Sequence, residues 1–111
     1  NRLTGMALME SLATGTTAKI SKHGSVIYTV PGGGKICDTG KQISFTPDAR
    51  ETALAYMAAK WGVKRRTVDK LSGEVVYILN DGRKVFEQVG KNCFERPEMV
   101  RGREQYRSRE R

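Results

Sequence analysis

A helix with clear start and stop signals over residues 46–61 is the feature that most constrains the fold of this chain. Thr46 is a favoured N-cap residue, and Pro47 suits the first helical position because its missing N–H needs no partner there. Acidic residues follow in the first turn and a lysine lies in the last, as the helix dipole favours. Gly62 predicts a left-handed stop.

The two sides of this helix differ in character. The predicted apolar stripe comprises Ala53, Leu54, Met57, Ala58 and Trp61. Tyr56 points away from that stripe, and a cationic cluster extends from the end of the helix: Lys60, Lys64, Arg65, Arg66 and Lys70. We expect Tyr56, Lys60, Lys64 and Arg65 to share one face, which would suit phosphate contacts combined with base stacking. The alternative is a solvated charged face without a partner.

Strand-like segments flank the helix on both sides. Residues rich in β-branched and aromatic side chains occupy 25–30, 35–39, 42–45, 74–79 and 84–89. A Pro-Gly-Gly-Gly turn and an Asn-Asp-Gly turn separate them into hairpins. The fold class predicted from this pattern is α+β, with a small antiparallel sheet built from two hairpins and one central helix (46–61) packed on one face.

The chain of 111 residues is predicted to hold one folded domain, over 18–94. Residues 1–17 form an N-terminal segment in which apolar residues at helical spacing predict a short helix ended by Gly15. Residues 95–111 are rich in Arg and Glu and read as a tail, helical or disordered, or as a linker. Because the first residue is Asn1 rather than Met, we expect the chain to be part of a longer protein.

The charge is strongly positive. Twenty Lys and Arg face twelve Asp and Glu, which gives a formal net charge of +8. Such a domain favours polyanions, with nucleic acid as the first candidate and an acidic protein or membrane surface as the second. The longest apolar run, over 75–79, is too short to span a bilayer, so we expect no membrane insertion and a cytoplasmic location.

Chemistry-bearing residues do not form a recognisable catalytic or metal-binding pattern. The sequence Gly32-Gly33-Gly34-Lys35 lacks the first glycine of a phosphate loop and the Ser or Thr after its lysine. His23 is the sole histidine, and with Cys37 and Cys93 it is one ligand short of a four-ligand zinc site. We expect the cysteines to be reduced thiols, although a disulfide stays open. The sequence predicts no enzyme, no cofactor, no metal and no small-molecule substrate.

Residues 24–70 resemble the large polyvalent protein-associated domains that are appended to conjugative relaxases and related mobile-element proteins. The resemblance rests on Val26-Ile27-Tyr28, on the stretch DTGKQI over 38–43, and on the helix end AAKWG over 58–62. It implies an accessory module of a multidomain protein that handles plasmid or other mobile DNA. It does not imply nicking, which in relaxases uses a histidine cluster.

The functional prediction combines this resemblance with the charge. We expect a non-catalytic accessory domain of a conjugative relaxase or mobile-element DNA-processing protein, which binds DNA weakly through phosphates. The nucleic-acid-binding residues predicted are Lys60, Lys64, Arg65, Arg66, Lys70 and Tyr56. The alternative is a protein-protein docking module that recruits a transfer or secretion component, for example by adding a strand to an exposed sheet edge.

Overall fold

The structure, a computed structural model, describes residues 2–87 and 90–96. Its helices are α1 (Arg2–Leu12) and α2 (Arg50–Trp61), with a 3-10 turn (Pro47–Ala49) directly before α2. The described strands are β1 (Thr17–Ile20), β2 (Val26–Thr29), β3 (Lys35–Asp38), β4 (Gln42–Phe45), β5 (Val63–Val68), β6 (Val75–Leu79), β7 (Lys84–Glu87) and β8 (Cys93–Glu95).

These strands form one eight-stranded antiparallel sheet in the order β1-β2-β3-β4-β8-β7-β6-β5. The two meanders, β1–β4 and β5–β7, are joined by β8, which pairs with β4 on one side and β7 on the other. The predicted small sheet of two hairpins under a single central helix is therefore wrong. The sheet is larger because β1, β5 and β8 extend and connect the expected hairpins.

The register divides the sheet into two faces. On the helix face, the side chains of Tyr28, Ile36, Ile43, Tyr77 and others pack against both helices. The core cluster there consists of Met9, Val26, Tyr28, Val30, Ile36, Ile43, Phe45, Ala49, Ala53, Tyr56, Met57, Tyr77, Leu79, Val85 and Phe94. The opposite face, which we call the open face, carries the alternate strand residues, and neither described helix covers it.

Helix α2 ends as expected but begins differently from the prediction. Pro47 opens a 3-10 turn rather than the α-helix itself. Thr46 occupies the position before that turn, but its hydroxyl accepts from the Lys35 N–H and donates to Asp48 instead of capping the helix. At the other end Gly62 has φ 76°, and its N–H donates to the Ala58 carbonyl, which confirms the left-handed stop.

The predicted helix stripe is displaced around the axis. The fully buried residues of α2 are Ala53, Tyr56 and Met57, whereas Leu54 and Trp61 are only partly buried. Tyr56 therefore faces the sheet, and the prediction that it points away from the core is wrong. The reason is a polar partner inside the core, described below.

The N-terminal segment packs onto this scaffold as a helix. Met9 of α1 is 1% exposed and belongs to the main core cluster, and Gly15 has φ 93° after the helix ends. Within the described ranges, neither helix is long and apolar enough to cross a membrane. The predicted tail over 95–111 lies outside the described residues, except for 95 and 96.

Candidate nucleic-acid interface

The predicted basic residues lie mainly on β5, an edge strand that pairs only with β6 among the described strands. Lys64, Arg65 and Arg66 are all exposed, and Lys70 is exposed in the turn that follows. A register shift between Val63 and Arg65 places Lys64 at a β-bulge. Bulges re-aim side chains and interrupt pairing at sheet edges, so this edge is both charged and irregular.

The cationic residues of β5 are divided between the two faces of the sheet. Arg65 lies opposite Ile78 and therefore belongs to the open face. Arg66 lies opposite Tyr77 and belongs to the helix face. The prediction gave these residues one shared patch, but strand periodicity sends neighbours to opposite sides.

The exposed cations differ in how far they are already neutralised. Among the described residues, the ion pairs are formed by Arg50, Lys60 and Arg83, and none is formed by Lys64, Arg65 or Lys70. Arg66 is different, because its guanidinium interacts with the Tyr77 hydroxyl and with the charge of Glu87. Lys64, Arg65 and Lys70 are thus not neutralised by a described carboxylate, and the same holds for the exposed lysines Lys19, Lys22, Lys35, Lys41, Lys84 and Lys91.

Two of the predicted contact residues, Lys60 and Tyr56, bind groups inside the protein instead. Lys60 forms an ion pair with Asp38, whose side chain is 3% exposed. Tyr56 is 0% exposed. Because Tyr56 is inaccessible and the charge of Lys60 is already neutralised by Asp38, neither is included among the proposed nucleic-acid contacts.

The buried group that holds both residues is the carboxylate of Asp38. The Tyr56 hydroxyl donates to Asp38 Oδ2 at 2.5 Å, and the Gly40 N–H donates to Oδ1 at 2.7 Å. Lys60 Nζ also donates to Oδ2. The Tyr28 and Tyr56 hydroxyls are 3.0 Å apart, which extends the network toward α1. A buried carboxylate needs such partners, because an unpaired charge inside a protein is strongly destabilising.

This network raises the pKa of Tyr56 far above its usual value. Burial is the main cause, and the hydrogen bonds with Asp38 and Tyr28 and the nearby Asp38 charge add to it. The pKa of Tyr28 is also raised, chiefly by burial, although its hydrogen bond with Tyr56 acts in the opposite direction. Both phenols are therefore neutral hydrogen-bonding groups at ordinary pH.

A hollow of about 130 Å³ adjoins the network, lined by Gly24, Val26, Asp38, Thr39, Gly40, Tyr56 and Lys60. Its polar side chains already have partners: Asp38, Tyr56 and Lys60 bind one another, and the Thr39 hydroxyl donates to the Gln42 carbonyl. Within the described part of the chain, no buried polar side-chain atom lacks a hydrogen-bond partner, and no cluster of three or more potential metal ligands occurs. The network therefore has a structural role: it links α2 to the end of β3, and we call it the Asp38 clamp.

A second polar cluster joins α2 to the β6–β7 hairpin. Arg50 Nε donates to Glu87 Oε2 at 2.7 Å, and a second guanidinium nitrogen donates to Oε1 at 2.8 Å. The Tyr77 hydroxyl donates to the same Oε1 at 2.9 Å. Burial alone would raise the pKa of Glu87, but the hydrogen bonds from Arg50 and Tyr77, with the charges of Arg50 and Arg66, lower it.

The register reveals neighbours of Arg65 that the sequence did not point to. Ile78 lies opposite Arg65 on one side and opposite Lys84 on the other, so these residues form a row across β5, β6 and β7. Phe86 lies on the same face as Lys84 and opposite Val76. Alternation along a strand places Lys84 and Phe86 on one face. The sequence gives no signal that Arg65 shares it, because the basic segment around Arg65 resembles a connector rather than a strand.

The two cysteines also lie on the open face. Cys37 on β3 and Cys93 on β8 are both in register with Ser44 on β4, which lies between them. Two strand spacings, about 10 Å, therefore separate the backbones of the two cysteines. The structure joins neither of them in a disulfide. Burial is the main factor that raises the pKa of each, so neither is an activated nucleophile. A shallow hollow of about 390 Å³ lies beside Cys37, Ser44, Lys35 and Lys91.

Comparisons with protein-family models, with curated proteins and with solved structures found no match to this chain.

Proposed function

We propose that this chain is a non-catalytic nucleic-acid-binding domain that contacts phosphates through the exposed basic residues of β5 and the turn after it. The observation that carries the proposal is that Lys64, Arg65 and Lys70 are exposed and form no ion pair with the described carboxylates. Arg66 is a weaker candidate because Tyr77 and Glu87 already engage it.

Charge and geometry together favour a polyanion as the partner. The formal net charge of +8 attracts nucleic acid over a long range, and the edge strand β5 has no described strand on its outer side. Phosphate contacts carry no sequence information, so we expect low sequence specificity. Three or four such contacts give weak, salt-sensitive binding.

The setting that we propose follows the resemblance of residues 24–70 to accessory domains of mobile-element proteins. In that setting the domain is one module of a larger conjugative relaxase or related DNA-processing protein in the cytoplasm. It contributes affinity for the DNA, while another part of the protein carries out the strand chemistry. The paired state of the polar side chains around Asp38 supports a module without catalysis of its own.

A salt titration tests the proposed function directly. Fluorescence anisotropy of labelled DNA with the 111-residue chain is recorded at several salt concentrations. If three or four phosphates are contacted, the logarithm of affinity should fall against the logarithm of salt with a slope of about −2.7 to −3.6 on duplex DNA. Absence of binding to any DNA at low salt would refute the proposal.

A docking role is the second candidate, favoured by the other edge of the sheet. All four residues of β1 are exposed, and the strand pairs only with β2 among the described strands. An edge of this kind can accept a strand from a transfer or secretion component. The test is a pull-down from cells that carry the mobile element, with an Ile20→Lys variant as control. A stoichiometric partner lost in that variant supports docking, whereas no partner beside clear DNA binding argues against it.

A further inference from the structure

The open face of the sheet takes part neither in the Asp38 clamp nor in packing against the described helices. Its apolar strand residues, including Ile27, Val76, Ile78 and Phe86, are absent from the core cluster that joins the sheet to the helices. Between them lie basic side chains, and the charged residues of this face in the described strands are Lys19, Lys35, Arg65, Lys84 and Glu95. Four of these five carry positive charge.

Charge and aromatic character come together at one end of this face. Arg65 and Lys84 lie on either side of Ile78, so about 10 Å separates their backbones. Phe86 lies two residues along β7 from Lys84, about 7 Å away on the same face. Phe86 is only partly buried, with Val76 opposite it on β6 and Glu95 opposite it on β8. The partly exposed Phe86 thus has one cation, Lys84, on its own strand, a second, Arg65, two strands away, and one carboxylate beside it.

We propose that this part of the open face, comprising Arg65, Ile78, Lys84, Phe86 and Val76, binds single-stranded nucleic acid, with Phe86 stacking against an unpaired base. The proposal rests on the proposed function, because Arg65 is one of the phosphate contacts named there. It adds the form of the ligand and a second set of contact residues.

The preference for a single strand follows from the chemistry of the two side-chain types. Cations bind phosphates of either form, but an aromatic ring needs the face of a base. In a duplex those faces are covered by stacking within the helix, whereas in a single strand they are accessible. On this face the cations would bind single-stranded and duplex nucleic acid alike. The preference for the single strand would come from Phe86.

The experiment compares a labelled single-stranded oligonucleotide with the duplex of the same sequence, by anisotropy at low and at physiological salt. Wild-type protein should bind the single strand more tightly. Phe86→Leu keeps an apolar side chain but removes the ring, and it should weaken single-strand binding about tenfold while duplex binding is unchanged. Ile27→Leu, elsewhere on the same face, is the matched control and should bind both forms as wild type does.

A second variant reports on stacking and keeps an aromatic ring at the site. Phe86→Trp should preserve single-strand affinity, and its additional fluorescence should be quenched by the single strand but not by the duplex. Lys84→Gln should weaken the binding of the single strand and reduce its salt dependence, whereas Lys41→Gln, in the exposed turn between β3 and β4, should not. Thermal unfolding followed by circular dichroism establishes that each variant is folded.

The outcomes separate this inference from the proposed function. Equal affinity for the single strand and the duplex, with Phe86→Leu at the wild-type level, overturns the open-face site while phosphate binding by β5 stands. Binding without quenching in Phe86→Trp also overturns it. If wild-type protein binds neither form at low salt, the proposed function fails, and the open-face site fails with it.

Discussion

Lys60, near the end of α2, is bound to the buried carboxylate of Asp38, at the end of β3. The two residues are 22 positions apart in sequence, and the same carboxylate also accepts from the Tyr56 hydroxyl and the Gly40 N–H. A lysine that appeared from the sequence to belong to a DNA-binding cluster is in this way committed to holding the helix against the sheet.

Replacing Lys60 should destabilise the fold and leave nucleic-acid binding nearly unchanged. Lys60→Met leaves Asp38 charged and buried without its cation, which should lower the free energy of unfolding by about 3 kcal/mol. Lys41→Met, at an exposed turn position, is the control and should cost little. Urea unfolding and DNA anisotropy measure the two effects.

The double variant Asp38→Asn/Lys60→Met tests whether the cost comes from the uncompensated charge. Removing the carboxylate charge should recover part of the stability lost in Lys60→Met. A Lys60→Met protein as stable as its control, with weakened DNA binding, would contradict the clamp and return Lys60 to the interface.

Alkaline pH should unfold the protein through its buried tyrosines. The pKa values of Tyr28, Tyr56 and Tyr77 are all raised, in each case mainly by burial. In the unfolded chain these phenols ionise near pH 10, while the folded state keeps them neutral. Their contribution to stability is therefore intact below about pH 10 and declines as the pH rises further, toward the folded-state pKa values.

Phenolate absorbance and urea unfolding at increasing pH measure this effect. Tyr28, Tyr56 and Tyr77 should ionise together with loss of structure rather than before it. Tyr56→Phe removes one of the coupled groups and should make the decline of stability with pH shallower. If all three phenols ionise near pH 10 while the protein stays folded, they are accessible to solvent and the prediction is wrong.

Acidic pH should weaken the link between α2 and β7 through Glu87. Its pKa is lowered in the folded state, so the stabilisation is present above the unfolded value of about 4.3 and is lost as the pH falls through the folded value. Glu87→Gln should cost about 1–2 kcal/mol at neutral pH, because Arg50 is partly exposed. It should also flatten the acid side of the stability curve.

Glu51→Gln, an exposed carboxylate on the same helix, is the control for this measurement. Urea unfolding at neutral pH and at an acidic pH well below the unfolded pKa of a glutamate gives the comparison. If Glu87→Gln and Glu51→Gln show the same dependence on pH, Glu87 does not carry the acid sensitivity.

Adjacent arginines on β5 should differ in their contribution to DNA binding. Arg65→Gln should reduce the magnitude of the salt slope by about 0.9, the value for one lost phosphate contact. Arg66→Gln should reduce it by less, because Tyr77 and Glu87 already engage that guanidinium. Lys22→Gln, in the turn between β1 and β2, is the control for net charge. Equal slopes for all three variants would mean that overall charge, and not β5, governs binding.

Local signals were enough to locate α2 and the hairpin strands. Pro47 and Gly62 limit the helix through backbone restrictions that act within a few residues, and Asp81-Gly82 does the same for the β6–β7 turn. The missed strands lack such signals. β5 is basic and exposed along most of its length, so it resembled a connector, and β8 has only three residues.

The candidate site was predicted only in part, for a related reason. Lys64, Arg65 and Lys70 are exposed, as their charges led us to expect. The hydrogen bond of buried Tyr56 and the ion pair of Lys60 both depend on Asp38, which reaches them only through the folding of the sheet. Hydrophobic periodicity records how apolar a side chain is, and it does not record whether a distant residue supplies a polar partner in the core.

The position of β8 between β4 and β7 has a consequence for how the protein is made. During synthesis, β1–β4 and β5–β7 leave the ribosome before β8, which joins them. Until β8 is available, the edges of β4 and β7 that it pairs with stay unpaired. The eight-stranded sheet is therefore completed, and becomes cooperatively stable, only after β8 (Cys93–Glu95) has been synthesised. Nascent chains halted upstream of that point should be more sensitive to proteases and more prone to associate with one another than the finished domain.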